Sequence, residues 1–151
     1  MRAADLLYAT LNPVIRAVLD SPLHGLLSKH VCVVEYAGRR SGRRFRTPLS
    51  YVHDGQRVLL LSSRQTRWWK NFIDPDREVV IRIGDRSLTG TARLYQGDSP
   101  ELTHRVRVFL TQLPRDAMIY KIKLDSNKKP LDSDIAGCGD RVIAVEVCLN
   151  Y

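Results

Sequence analysis

Between Val31 and Tyr95 the sequence is cut into short apolar, β-branched runs by turns that carry glycine. That pattern narrows the fold sharply. Strands joined by tight turns pair antiparallel, because a parallel crossover needs about a dozen residues or more between strands. Strands are predicted over 31–37, 45–52, 56–62, 78–83 and 87–95, with a last one over 142–149 and a short one over 120–124. Asp54-Gly55 signals one hairpin and Gly84-Asp85 another of type II′. The run Val58-Leu59-Leu60-Leu61 is apolar on both faces, as a strand covered on both sides would be. A short helix is predicted over 67–73, stopped by Asp74-Pro75-Asp76. A longer one begins at Ser99-Pro100-Glu101, with serine as cap and proline first inside, and closes before Pro114. A polar loop covers 125–134.

Residues 2–20 place Leu6, Leu7, Leu11, Val14, Ile15, Val18 and Leu19 at helical spacing, interrupted at Pro13 and stopped by Ser21-Pro22. With Arg2 and Arg16 set against Asp5 and Asp20, the polar face is only weakly basic. The N-terminal segment, 1–28, is therefore expected to pack on the body of the domain, a membrane surface being its other place. The expected architecture is one domain over 1–151 of α+β class, mainly antiparallel β. Its small barrel has about six or seven strands, an N-terminal helix and two or three short helices, closed so that no sheet edge is left open.

Charge limits the partners. The formal net charge is +8 over 151 residues, which points to nucleic acid, an anionic membrane or a polyanionic small molecule. Aromatic residues make up 7% and are not interleaved with a basic helix, so nucleic acid is not an expected partner. Cys32, Cys138 and Cys148 show no metal spacing and are odd in number; Cys32 and Cys148 are read as small buried hydrophobes. His24, His30, His53 and His104 are scattered, so no metal is expected. No signal peptide or spanning stretch is read, and a cytoplasmic location is expected. Serine-hydrolase, P-loop and dinucleotide motifs are absent, which leaves the chemistry to a bound cofactor.

The residues 38–49, GRRSGRRFRTPL, hold five arginines in twelve positions. Such a cluster is either a solvated hairpin end or an anion site, where guanidinium forks face phosphate or carboxylate.

Gly38-Arg39-Arg40-Ser41-Gly42, Thr47-Pro48-Leu49, Tyr51, Ser63 and Trp68-Trp69-Lys70-Asn71 together resemble the deazaflavin-dependent nitroreductase family. The resemblance is strongest over 30–95 and extends to the whole chain in element order. It implies a split β-barrel of the flavin-nucleotide-binding type. It implies binding of coenzyme F420 and hydride transfer to a quinone, a nitro compound or an activated alkene. Carried over by position, Arg39, Arg40, Ser41 and Gly42 would meet the anionic tail of the cofactor. Thr47, Pro48 and Leu49 would border the deazaflavin ring, Ser62, Ser63 and Arg64 would hold the phosphate or ring edge, and Trp68 and Asn71 would shape the mouth of the pocket. The sequence departs from the family at two places. Phe45 stands where an arginine is common, with Arg44 and Arg46 beside it and so on the opposite face. Arg64-Gln65-Thr66 replaces a glycine-rich loop. Two further readings stay open: the same fold with flavin mononucleotide (FMN), and a non-catalytic carrier of an anionic cofactor or lipid. At least one of Trp68 and Trp69 is expected to be core or a barrel plug rather than a substrate stack. Tyr120 is read as a residue able to donate a proton to substrate, though nothing in the spacing demands it. Split barrels commonly pair, so a homodimer is compatible with the resemblance.

Overall fold

The structure, a computed structural model, describes residues 30–150. The N-terminal helical segment expected over 1–28 lies outside the described residues. The strands are β1 (Val31–Ala37), β2 (Arg44–Asp54), β3 (Arg57–Ser63), β4 (Arg77–Ile83), β5 (Arg86–Tyr95) and β6 (Val142–Leu149). They close into a barrel in the order β1-β2-β3-β6-β5-β4, with β4 returning to β1. Every pairing is antiparallel, so the barrel expected from the turn-punctuated sequence is the one found.

Two hairpin turns set the register. The pairs Asp54↔Arg57 and Ile83↔Arg86 leave Gly55-Gln56 and Gly84-Asp85 as two-residue loops. Gly55 and Gly84 have φ of 65° and 62°, while Gln56 and Asp85 stay out of the positive-φ region. That is the type II′ pattern, in which glycine takes the first central position because a Cβ there would clash. The first loop thus sits one residue later than the Asp54-Gly55 signal suggests.

Alternation along the strands produces two cores. Cys32, Val34, Tyr36, Val58, Leu60, Val79, Ile81, Ile143, Val145 and Val147 point into the barrel. Leu59, Leu61, Val142 and Ala144 point outward and are covered by the helix α1 (Pro100–Gln112) through Leu102, Val106, Phe109 and Leu110. β3 is therefore buried on both faces, as its unbroken apolar run predicts. Ser99 caps α1, its Oγ accepting from the Leu102 amide at 3.2 Å. Ser99→Ala is expected to lower stability by about 1 kcal/mol, read as a lowered urea midpoint.

Three local expectations are corrected. Residues 120–124 do not form a strand. A 3₁₀ helix spans Pro114–Tyr120, Lys121 ends it in the left-handed region at φ 57°, and the Ile122 amide donates back to Ala117 O. Only Leu124 makes a β-bridge, to Pro130. The alternation of Tyr120, Ile122 and Leu124 imitates a strand, but Pro114 starts a helical turn that the sequence then completes. Within the expected loop 125–134 a short helix α2 (Asp132–Ile135) begins. Cys148 is exposed while Cys32 is buried. On β6 the residues Ile143, Val145 and Val147 take the inner face, which leaves Cys148 outside and beyond the cover of α1.

Candidate functional site

The site region is built where β2 and β3 part. β2 pairs with β1 from Arg44 to Ser50, but with β3 only over Tyr51↔Leu60 to Asp54↔Arg57. Thr47, Pro48, Leu49 and Ser50 thus lie in a ladder on the β1 side only, and Leu61, Ser62 and Ser63 on the β6 side only. Pro48 sits in the middle of that stretch, paired with Val33 on the β1 side, and has no amide hydrogen to offer a strand on the β3 side. The result is a split in the barrel wall, bordered by Thr47, Pro48 and Leu49 on one lip and Ser62 and Ser63 on the other.

The same end of the barrel is stoppered by a 3₁₀ helix, Trp68–Phe72, whose Trp68, Trp69 and Phe72 are buried. Trp68 Nε1 donates to Ser62 Oγ at 2.9 Å, and Ser62 Oγ lies 3.0 Å from Thr66 Oγ1. Trp69 Nε1 donates to Arg64 O at 3.2 Å. Asn71 Nδ2 donates to Trp68 O, and Asn71 Oδ1 accepts the Arg39 amide, both at 2.9 Å. Ser62, Trp68 and Asn71 are therefore engaged in the framework: they bind the 64–67 loop and the β1–β2 turn to one plug. Both tryptophans take their core reading. Tyr36, which the sequence reasoning passed over, completes the plug. Its hydroxyl lies 3.0 Å from Thr47 Oγ1, and its ring is 5.2 Å from Phe72 and 5.7 Å from Phe45. A signal for it existed, since Tyr36 stands opposite Phe45 in the predicted hairpin.

The arginines divide by partner. Arg46 faces outward beside its cross-strand neighbour Glu35, at 3.2 Å, a carboxylate it shares with Arg82. Arg39 is tied to Asp74 at 3.3 Å. Arg64 donates to Gln96 at 3.3 Å, with its guanidinium 5.7 Å from the Trp69 ring. Arg40 and Arg43, exposed on the β1–β2 turn, form no ion pair among the described residues. That turn is closed by its own bonds: Gly38 N to Arg43 O, Gly42 N to Gly38 O and Arg43 N to Ser41 Oγ. Gly42 supplies the positive φ of 69° that the bend needs. Phe45 packs against the barrel core while Arg44 and Arg46 stay exposed on the other face.

At the β3 end lies a pocket of about 240 Å³ lined by Ser63, Gln65, Tyr120, Lys121 and Arg141 among others. Tyr120 is buried, and desolvation, with a smaller contribution from the Asp116 charge, pushes its hydroxyl well above the ordinary tyrosine range. Arg141 is held by Tyr120 O, Asp134 O and Asp140. No motif announced Arg141; only the meeting of β6 with the 114–120 helix places it there.

Buried tyrosines carry a pH prediction. Tyr36 and Tyr120 both have raised pKa values through burial, so the folded state resists their ionisation. Stability is expected to fall from about pH 9 upward, because first the buried thiols of Cys32 and Cys138, whose pKa values burial also raises, and then the tyrosines ionise in the unfolded chain before the folded one. Urea midpoints across that range check this, and Tyr120→Phe should lessen the alkaline loss.

A profile of the F420H(2)-dependent quinone reductase family matches residues 18–117. The chain belongs to that family. Membership makes it a coenzyme F420-dependent reductase by descent, and the matched span contains the split, the plug and the arginine turn. No curated protein sequence matches the chain. Solved structures share the fold. One described as an F420-H2 dependent reductase, FDR-A, has 19% identity and a TM-score of 0.52, over 79% of this chain and 94% of its own. One described as a domain-swapped dimer has 20% identity and a TM-score of 0.52, over 79% and 80%. A third, related to general stress protein 26 and the pyridoxinephosphate oxidase family, from Clostridium acetobutylicum, has 13% identity and a TM-score of 0.54, over 88% and 84%. Among the described residues no helix is long and apolar enough to cross a membrane.

Proposed function

We propose that this chain reduces a quinone, or a nitro compound or activated alkene of similar shape, with reduced coenzyme F420 held along the split between β2 and β3. The observation that carries this reading is the family match over 18–117, joined to a split lined by the motif residues. The residues fit such a cofactor. Arg40 and Arg43 are cations with no acid partner among the described residues, suited to a phosphate or a carboxylate tail. Arg39, Ser41 and Gly42 shape the turn that presents them. Thr47, Pro48 and Leu49 offer a strand edge outside the β3 ladder, where main-chain groups can recognise the polar edge of a ring. Ser63 and Arg64 close the other lip. Ser62, Trp68 and Asn71 act one step behind, by fixing those groups. Arg46 contributes positive field more than contact, because Glu35 holds it.

When bound and reduced, the deazaflavin supplies a hydride to the acceptor. The chain's own part is binding, orientation and charge. Tyr120 keeps its proton on Oη throughout the physiological range, because burial disfavours the phenolate. Any part it takes toward an acceptor oxygen in the adjoining pocket is therefore that of a hydrogen-bond donor rather than of an acid that ionises. A homodimer belongs to this reading, in keeping with the pairing habit of split barrels.

The experiment mixes the protein with reduced coenzyme F420 and menadione and follows the return of the oxidised deazaflavin absorbance. Protein-dependent oxidation that saturates with both reactants is expected. No turnover with quinone, nitro and enone acceptors, or tighter binding of flavin mononucleotide than of the deazaflavin, overturns it.

A further inference from the structure

The segment following α1 carries a surface that the cofactor reading does not use. Among the described residues the exposed large apolar side chains are Ile73, Met118, Ile119 and Leu124. Three of these fall within 118–124, with Met118 85% and Ile119 63% exposed. Single exposed apolar residues are ordinary, but a cluster projecting from one short turn is not. Beside it runs a groove of about 630 Å³, with Met118, Ile122 and Leu124 on its walls and Arg115, Lys121 and Lys123 at its rim. No carboxylate lines it. The acids nearby are already engaged: Asp116 Oδ1 lies 3.6 Å from Arg115 Nε, Asp125 Oδ1 accepts the Asn127 and Lys129 amides, and Asp134 Oδ2 accepts the Lys123 amide, which leaves Lys121 and Lys123 without an ion pair among the described residues. Lys128 and Lys129 extend the cationic border on the next exposed turn.

We propose that this face docks on an anionic lipid bilayer. Met118, Ile119 and Leu124 enter the boundary between headgroups and acyl chains, while Arg115, Lys121 and Lys123 lie among the lipid phosphates. An apolar tip within a ring of cations matches a surface that is negative outside and apolar beneath. A protein partner matched to this rim would need several acids around a small apolar socket; a membrane supplies that arrangement everywhere. The surface is formed by residues 114–124, apart in the sequence from the segment 1–28. It also has a geometric consequence: Ile119, Tyr120 and Lys121 line the 240 Å³ pocket at the β3 end, so docking brings that pocket's mouth to the lipid surface, where apolar molecules dissolve. The proposal stands apart from the cofactor reading, and its test needs no cofactor.

The full chain is sedimented with vesicles of mixed phosphatidylglycerol and phosphatidylcholine, and with phosphatidylcholine alone, at low and moderate salt. Two double variants are compared, Met118→Ser with Ile119→Ser, and Lys121→Glu with Lys123→Glu. All four side chains are exposed, so the melting temperature should be kept, and circular dichroism confirms the fold. Salt-sensitive binding to the anionic vesicles is expected, falling at least about tenfold in each double variant. No binding, equal binding to both vesicle types, or binding undiminished in the variants (as the N-terminal segment alone would give) overturns the proposal. So does a Met118- and Ile119-dependent self-association, seen by light scattering, without vesicle binding.

Discussion

Trp68→Ala is expected to remove about 4 kcal/mol of stability, a large share of the 5–15 kcal/mol roughly available to a domain of this size. Trp68 is buried in the barrel end, with its ring 5.7 Å from Phe72 and 6.5 Å from Tyr36. Its truncation opens a cavity that a closed barrel cannot collapse to fill. It also strips Ser62 Oγ of the indole donor at 2.9 Å. Trp68→Phe keeps most of the volume and loses the bond, so about 1–2 kcal/mol is expected there. Urea unfolding of the two variants separates packing from hydrogen bonding. The Arg39 turn is joined to this helix through Asn71, so hydrogen exchange at 39–43 should quicken in Trp68→Ala below the unfolding midpoint. An unchanged midpoint would remove the plug from the account of how the site is held.

The second large effect concerns binding. Arg40→Glu combined with Arg43→Glu is expected to weaken coenzyme F420 binding by about a hundredfold or more, since hydrogen bonds to charged groups contribute about 1.5–3 kcal/mol each. Stability should barely move, because neither arginine has an acid partner among the described residues. Arg46→Ala should cost much less, because Glu35 already holds that guanidinium at 3.2 Å. Fluorescence titration with coenzyme F420 and with flavin mononucleotide provides the check. A loss common to both ligands would assign the arginines to a shared phosphate. A loss confined to the deazaflavin would assign them to its acidic tail. No loss for either would remove the turn from the site.

Much of the frame was legible in the sequence because it rests on local rules. Glycine at 55 and 84 marks the two hairpins, and period-two alternation separates the residues in the barrel from those beneath α1. Ser99-Pro100 starts α1 where its cap is found. Reading failed where a local pattern had two outcomes. Tyr120, Ile122 and Leu124 alternate like a strand, but the amide of Ile122 finds Ala117 O before it finds a neighbouring strand. For the site, the motif residues could be named in advance while their division of labour could not. Arg40 and Arg46 look alike in the sequence; only the cross-strand pairing of Arg46 with Glu35 distinguishes them. Ser62 and Ser63 are adjacent, yet one is engaged by an indole and the other lines a pocket.

The chain by itself thus determined an antiparallel barrel, its turns, its covering helix and the cationic hairpin, because each follows from φ preferences and the spacing of apolar residues. Tertiary structure alone decided where β2 leaves β3, which tryptophans stopper the barrel end, and that Tyr120 and Arg141 meet beside Ser63. Those outcomes depend on contacts between residues far apart along the chain, whose geometry exists only once the barrel has closed.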